Sequence, residues 1–224
     1  MRLLTPDAHR RIADAVKAAE ANTGGEIVVA VITESDDYAS REMAFGIGLG
    51  VLAFAVLAFL AAPLNALLDR WIWQESAALL PLAMAAVSLG VGAVGYSLAQ
   101  IPAIDRIVVG KKAMADSVRK RALRHFVESA AYDTVDRTGV LLFVSALERR
   151  VELIADKGIN DAVAPDTWDR IVSALVRGLK EGRREEAMET AVKEIGAVLA
   201  DHVPRREDDE NELDDGPVKL GKGS

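Results

Sequence analysis

The chain has 224 residues, 27% of them charged and 50% hydrophobic, and its formal net charge is -7. It contains no cysteine, which excludes disulfides, cysteine nucleophiles, zinc–thiolate sites and iron–sulfur clusters. The acidic balance gives no indication of a nucleic-acid partner.

The first 42 residues predict a helix followed by a buried strand. Thr5, Pro6 and Asp7 are typical of a helix start, as the N-cap, the first helical residue and an acid on the helix dipole. Residues 26–33 (EIVVAVIT) form a β-branched, almost continuously apolar run, which predicts a central strand covered on both faces. The strands that pair with it must come later in the chain.

Two long stretches, residues 43–68 and 76–104, contain no Asp, Glu, Lys or Arg. A helix needs about 20 apolar residues to cross the hydrocarbon core of a bilayer. We therefore predict a transmembrane hairpin over residues 43–104, with spans at about 44–64 and 78–100 and a polar connection at 69–75. Small residues at positions four apart, Gly46 with Gly50 and Ala86 with Gly90, predict close helix packing.

Basic residues are distributed unevenly around the two spans. Lys17 and Arg41 precede the first span, Arg70 lies between the spans, and residues 106–124 contain seven Lys or Arg. The positive-inside bias predicts a multi-pass protein of the inner membrane with both termini in the cytoplasm. The basic segment either lies against the anionic inner leaflet or serves only to set this topology.

Residues 105–203 predict the rest of one soluble domain. The predicted elements are a basic helix at 111–131, strands at 139–145 and 150–156, and helices at 166–180 and 184–202. The short connection between the two strands predicts an antiparallel pair. Together with residues 1–42 they predict a small α/β sandwich, a mixed sheet with helices on its faces, interrupted by the hairpin. Residues 204–224 predict a disordered acidic tail.

Four motifs give this chain a family resemblance. They are residues 23–29 (TGGEIVV), 138–145 (TGVLLFVS), 148–152 (ERRVE) and 155–159 (ADKGI). In this order the chain resembles the TPM domain family, known from a thylakoid-lumen photosystem-repair protein and from bacterial membrane proteins. The resemblance covers residues 3–203 without the hairpin.

The resemblance implies a Rossmann-like α/β sandwich, which agrees with the elements predicted above. Relatives have been associated with metal binding, with phosphatase activity and with photosystem repair. Typical members carry a signal peptide, the domain and a C-terminal span, and their domain lies outside the cytoplasm. This chain resembles instead a bacterial subgroup with internal spans.

Asp156, Asp161 and Asp166 surround the end of the third predicted strand and the start of the next helix. Carboxylates that converge beside a helix start can hold Ca²⁺ or Mg²⁺, because both ions prefer oxygen ligands. The three residues are therefore a candidate metal site. The alternative is structural, with Asp166 as a helix cap, Asp161 as a loop acid and Asp156 as a strand-end acid.

His125 is a candidate general base, since it lies beside Phe126 on the basic helix. Packing or surface placement is the alternative, because no Gly-x-Ser-x-Gly motif supplies a nucleophile. The sequence also lacks a phosphate-binding P-loop, and its glycine cluster at residues 46–50 lies in a span.

These observations favour an integral inner-membrane protein with a cytoplasmic TPM-type domain that binds, scaffolds or monitors membrane proteins. The expected partner is another membrane protein or a second copy of the chain. The alternative is a metal-dependent, phosphatase-like hydrolase that uses Ca²⁺ or Mg²⁺ at the three aspartates, and no other cofactor is expected.

Overall fold

The computed structural model describes residues 4–68, 78–134, 137–205 and 213–221. The chain divides into two compact units. The sheet unit consists of Met1–Asp36 and Met114–Ser224, and the hairpin unit consists of Asp37–Ala113. The sheet unit therefore draws on sequence from both sides of the hairpin unit.

The described residues form both helices and strands in the sheet unit and helices alone in the hairpin unit. In chain order the elements are α1 (Pro6–Glu20), β1 (Ile27–Ile32), α2 (Ala39–Phe59), α3 (Ala61–Leu68), α4 (Leu79–Ala99), α5 (Pro102–Val109), α6 (Lys111–Glu128), β2 (Val140–Ser145), β3 (Arg150–Ala155), α7 (Lys157–Asn160), α8 (Pro165–Lys180), α9 (Arg184–His202) and β4 (Val218–Leu220).

The four strands form one mixed sheet in the order β3-β2-β1-β4. β1 runs parallel to both β2 and β4, whereas β2 and β3 are antiparallel. Every residue of β1 and β2 is buried, as expected for central strands covered on both faces. The predicted α/β fold class is thus confirmed, and the first strand pairs with a strand that follows the hairpin.

Alternate side chains of β1 and β2 enter two hydrophobic layers. Val29 and Leu142 belong to the layer that contains the apolar faces of α1, α8 and α9. Val28 and Phe143 belong to the opposite layer, which contains the inner face of α6. Gly139 precedes β2 where the chain passes the end of α6, and a Cβ there would lie 1.9 Å from the backbone oxygen of Ala131. Only glycine permits this approach.

In the hairpin unit, α2 and α4 are each 21 residues long and are apolar enough to cross a membrane. They approach closely at small residues: a Cβ on Gly46 would lie 2.8 Å from the backbone oxygen of Gly92, and one on Gly50 would lie 3.0 Å from that of Ser88. Gly46 and Gly50 therefore lie at the helix contact as predicted.

The second small-residue face, Ala86 with Gly90 on α4, does not pack within the hairpin. Both residues are exposed, and a Cβ on Gly90 would meet nothing within 4 Å. The buried stripe of α4 is Met84, Ser88, Gly95 and Ala99. Small residues recur on several faces of an apolar helix, so their spacing alone does not select the face that packs. The polar connection predicted at residues 69–75 lies outside the described residues.

The C-terminal region differs from the predicted disordered tail at residues 213–221. Val218–Leu220 forms β4 beside β1, with Ala30 opposite Val218 and Ile32 opposite Leu220. Leu213 and Leu220 pack against the hydrophobic layer that contains α6. The three residues of β4 pair with residues 30–32 of β1 on the side of β1 that faces away from β2. Without β4, the N–H and C=O groups on that side of these residues would have no strand partner.

A carboxyl cluster lies where α1 leads into β1. The side chain of Glu20 accepts a hydrogen bond from the backbone N–H of Ile27 at 2.7 Å. Burial, together with the nearby carboxylates of Glu26 and Asp215, raises the pKa of Glu20 from 4.5 to about 8. Because Asp215 belongs to the C-terminal region, the packing of this region contributes to the protonation of Glu20.

We expect Glu20 to make the sheet unit less stable as the pH rises. The folded protein keeps a proton on Glu20 up to about pH 8, whereas the unfolded chain releases it near 4.5. Its contribution to the unfolding free energy is therefore complete below pH 4.5 and is lost as the pH rises through 8. Glu20→Gln removes this dependence and should unfold at a higher temperature than the wild type above about pH 8.

The measurement is thermal unfolding across this pH range, followed by circular dichroism in detergent. The control is Glu194→Gln, the same change at an exposed residue of α9, which should keep the slope of the wild type. Parallel pH profiles for Glu20→Gln and the wild type would contradict the expectation.

Candidate functional site

The carboxyl ends of β1 and β2 lie side by side at one edge of the sheet. The two strands are parallel and in register, and their last paired residues are Ile32 and Ser145. In open α/β sheets ligands bind outside the carboxyl ends of parallel strands. This edge is therefore a candidate functional site.

A hydrogen-bonded group, the strand-end cluster, occupies this edge and consists of Ser35, Ser145 and Glu148. Glu148 accepts a hydrogen bond from the backbone N–H of Ser35 at 2.8 Å and another from the hydroxyl of Ser145. The hydroxyl of Ser35 donates to Oγ of Ser145 at 2.9 Å. All three residues are at most 6% exposed. These bonds satisfy a buried carboxylate and join the segment after β1 to the turn after β2.

The backbone extends the same connection beyond the strands. The N–H groups of Ala146 and Leu147 donate to the carbonyls of Ile32 and Thr33, at 3.1 and 2.9 Å. The turn then ends at exposed Arg149, whose φ of 53° lies in the left-handed region. A non-glycine residue adopts this region at an energetic cost, and such residues are frequent at functional sites.

Acidic side chains adjoin the cluster on the segment after β1. Glu34 is buried, and exposed Asp36 accepts a hydrogen bond from the hydroxyl of Ser117 on α6 at 2.8 Å. Together with Glu148 they give the edge three carboxyl groups. Of the three, only Asp36 is exposed, and it is the carboxyl group that a partner with positive or hydrogen-donating groups can contact directly.

The three aspartates predicted to bind metal lie elsewhere. Asp156 caps α7 and accepts a hydrogen bond from the N–H of Lys157 at 2.6 Å. Asp161 ends the same short helix, and Asp166 is exposed in the first turn of α8. Because β3 is antiparallel to β2, its carboxyl end lies at the edge opposite the strand-end cluster.

The structure gives this metal site no support. In the described part of the chain, no group of three or more Asp, Glu or His residues is placed to hold a metal ion. The alternative that Asp166 caps a helix is wrong, since Ala164 is the N-cap of α8. Asp156 does have the capping role, because α7 follows β3 directly.

Comparison with known proteins gives a match in the second half of the chain. Residues 105–198 match the model of the TPM domain. This part of the chain is similar to the TPM domain. The matched range contains β2, β3 and the strand-end residues Ser145 and Glu148. The match confirms the family resemblance for the motifs at residues 138–145, 148–152 and 155–159, whereas the motif at residues 23–29 lies outside the matched range.

A solved structure is similar to the whole fold. The NMR structure of BA42 protein from the psychrophilic bacterium Bizionia argentinensis sp. nov. is 21% identical, with a TM-score of 0.57. The similarity covers 97% of this chain and 95% of that one. At this identity the likeness concerns the fold. No curated protein sequence matches the chain.

Within the TPM domain, the candidate base His125 lies on the buried side of α6. Its ring centroid is 6.5 Å from that of Phe143, and neither ring nitrogen has a hydrogen-bond partner among the described residues. Its Nδ1 is 3.8 Å from a carboxylate oxygen of Glu128. Burial, and secondly the charge of Arg121, lower the pKa of His125 below 6.5. His125 is therefore a neutral core residue.

The strand-end cluster was not predicted from the sequence, although its signal is present. Ser35 lies three residues after the last residue of β1, and Ser145 ends β2. If β1 and β2 are taken to be parallel, both serines are expected beside the carboxyl ends of these strands. Glu148 stood within the family motif at residues 148–152, but its link to Ser35 needs the register of the sheet.

We expect Glu148→Ala to destabilise the TPM domain by about 3 kcal/mol. The change leaves the buried N–H of Ser35 and the buried hydroxyl of Ser145 without this acceptor, and each orphaned group costs about 1–3 kcal/mol. Glu148→Gln should lose less, because its amide oxygen still accepts one of these hydrogen bonds. Urea unfolding of the full chain in detergent measures both.

The matched control is Glu152→Ala on β3. Glu152 forms an ion pair with Arg119 at 3.1 Å, and the Arg119 side chain is 53% exposed. A pair of this kind contributes at most about 1 kcal/mol. Equal losses for the two alanine variants would show that the strand-end cluster does not stabilise the fold.

Proposed function

We propose that the protein is an integral protein of the bacterial inner membrane and presents its TPM domain in the cytoplasm as a binding module. The observation that carries this proposal is the exposure of two long apolar helices. Leu52 of α2 is 60% exposed and Leu89 of α4 is 75% exposed. Helices of 21 residues span about 30 Å, which equals the hydrocarbon thickness of a bilayer.

Neither a soluble core nor a signal sequence fits these two helices as well as a membrane does. The core helix of a soluble protein is mostly buried, whereas the apolar windows of α2 and α4 are only 11% and 17% buried. A signal sequence lies near the N-terminus, whereas these helices begin at Ala39 and Leu79. A pair of lipid-facing helices accounts for the apolar surface of both.

The distribution of positive charge supports a cytoplasmic TPM domain. Residues 106–124 carry seven Lys or Arg after the second span, against Arg70 alone between the spans. Basic residues near a span favour the cytoplasmic side. We therefore propose that both termini lie in the cytoplasm and that the connection between α3 and α4 lies outside.

Single cysteines test the insertion and the orientation, because the chain contains no cysteine of its own. Ser76→Cys lies between the two predicted spans, next to the polar connection at residues 69–75, and Ser173→Cys lies on the exposed surface of α8. In intact spheroplasts an impermeant maleimide should label Ser76→Cys at least about tenfold more than Ser173→Cys. After permeabilisation both should react.

Both variants should also remain in the membrane pellet after washing with alkaline carbonate. Release by carbonate would refute the membrane proposal itself. Labelling of Ser173→Cys in intact spheroplasts would refute only the orientation.

We infer that the TPM domain binds its partner at the strand-end edge. Support comes from the carboxyl ends of two parallel strands, the three carboxyl groups of Glu34, Asp36 and Glu148, and the left-handed turn at Arg149. Hydrogen bonds within the strand-end cluster fix the backbone of this edge, which lowers the entropic cost of binding. The partner is a second copy of the chain or another membrane protein with basic or hydrogen-donating groups.

A photo-crosslinker placed by a single cysteine tests this binding edge. Arg149→Cys lies at the carboxyl end of β2, and Arg137→Cys lies just before its amino end. The two positions form a matched pair, since both are exposed arginines with φ near 55°. After illumination of intact membranes, we expect a discrete adduct from Arg149→Cys and none from Arg137→Cys.

The mass of the adduct identifies the kind of partner. A product of twice the 24.0 kDa of the chain indicates a second copy, and any other discrete mass indicates a different membrane protein. Adding Asp36→Asn and Glu34→Gln should weaken the adduct if their charges attract the partner. Equal adducts at both arginine positions, or none at Arg149→Cys, would contradict binding at this edge.

A further inference from the structure

Helix α5 turns an apolar side chain outward and an acidic one inward. Ile107 is 80% exposed, whereas Asp105 is only 3% exposed. Ala103, Arg106 and Ile107 lie on one face of the helix at the i, i+3, i+4 spacing; Ala103 and Ile107 are exposed and Arg106 is partly exposed. An amphipathic helix at a water-exposed surface has the opposite arrangement, with polar residues outward.

Contacts within the hairpin unit fix α5 beside α2 and α4. The helix begins at Pro102, three residues after α4 ends, and it packs against both α2 and α4. The guanidinium group of Arg41 donates a hydrogen bond to the carbonyl of Val109 at 2.7 Å. This contact ties the far end of α5 to the beginning of α2. The helix is therefore fixed at one end of the apolar helix pair.

Within residues 102–113 the charges that are exposed or partly exposed are all positive. Arg106 is partly exposed on the outward stripe, and Lys111 and Lys112 are exposed directly after Gly110. Between residues 102 and 113 the one acid is the buried Asp105. A surface that combines exposed isoleucine with lysine and arginine is complementary to the boundary between acyl chains and anionic headgroups.

We propose that residues 101–112 form an interfacial anchor that binds anionic phospholipids. Ile101 and Ile107 enter the outer part of the acyl-chain region, and Arg106, Lys111 and Lys112 bind the phosphate groups of the lipids. The proposal rests on the membrane insertion proposed above and adds a lipid-binding surface to it. It commits to the bilayer surface, because α5 continues from a helix that is itself apolar enough to span it.

The experiment uses the full chain, reconstituted in nanodiscs with an environment-sensitive fluorophore on a single cysteine. Ile107→Cys reports on α5, and Phe54→Cys on α2 reports on the middle of the first predicted span, at about residues 44–64. A quencher attached high on the acyl chain should quench Ile107→Cys at least about twofold more than Val127→Cys, an exposed aliphatic position on α6. A quencher attached deep on the acyl chain should quench Phe54→Cys.

The outcomes separate the anchor from the membrane insertion on which it rests. If the label at Phe54 is quenched and the labels at Ile107 and Val127 respond equally, the anchor is refuted and the insertion stands. If the label at Phe54 is not quenched either, the proposed insertion fails.

The lipid charge is tested with the same label. Replacing part of the phosphatidylcholine with phosphatidylglycerol should shift the Ile107→Cys emission further to the blue, and Lys111→Gln with Lys112→Gln should abolish the added shift. The matched control is Arg177→Gln with Lys180→Gln on α8, which should leave the added shift unchanged. An added shift that survives the Lys111 and Lys112 changes would refute headgroup binding by these lysines.

Discussion

Parallel pairing of β1 with β2 is the constraint on which the rest of the structure depends. Six registered pairs, from Ile27 with Val140 to Ile32 with Ser145, join strands that residues 33–139 separate along the chain. The entropic cost of closing such a loop grows only slowly with its length. The helix pair α2 and α4 reduces the cost further, because their close packing at Gly46, Gly50 and Gly92 leaves less free chain to close.

The elements of the fold that the sequence predicts are those whose pattern is contained in a short run of consecutive residues. The apolar runs at residues 26–33 and 139–145 predict strands from their own composition. Thr5 also accepts the capping hydrogen bond from the N–H of Ala8, as its position before Pro6 predicts. In contrast, β4 exists because β1 offers an open edge, and its three residues have no strand signal of their own inside an acidic tail. Helix α5 is equally hard to predict, since it is short and its outward isoleucine reverses the usual amphipathic pattern.

The functional site was harder to predict than the fold, because proximity along the chain was a poor guide to proximity in space. Asp156, Asp161 and Asp166 are close in sequence, yet Asp156 lies at the start of α7 and Asp161 lies at its end. Ser35 and Ser145 are far apart in sequence, yet the parallel register brings their hydroxyls within 2.9 Å. Predicting this pair requires the direction of β2 relative to β1, which the composition of either strand does not contain.

The strand-end cluster also gives the left-handed turn at Arg149 a physical cause. A positive φ at a non-glycine residue persists only when its surroundings hold it. Here Glu148, the preceding residue, is held by hydrogen bonds from Ser35 and Ser145, and β3 begins at Arg150 immediately afterwards. The buried bonds thus fix the backbone on one side of the turn and the strand ladder fixes it on the other. What remains variable at this edge is the exposed side chain of Arg149, which a partner can contact without any change in the backbone.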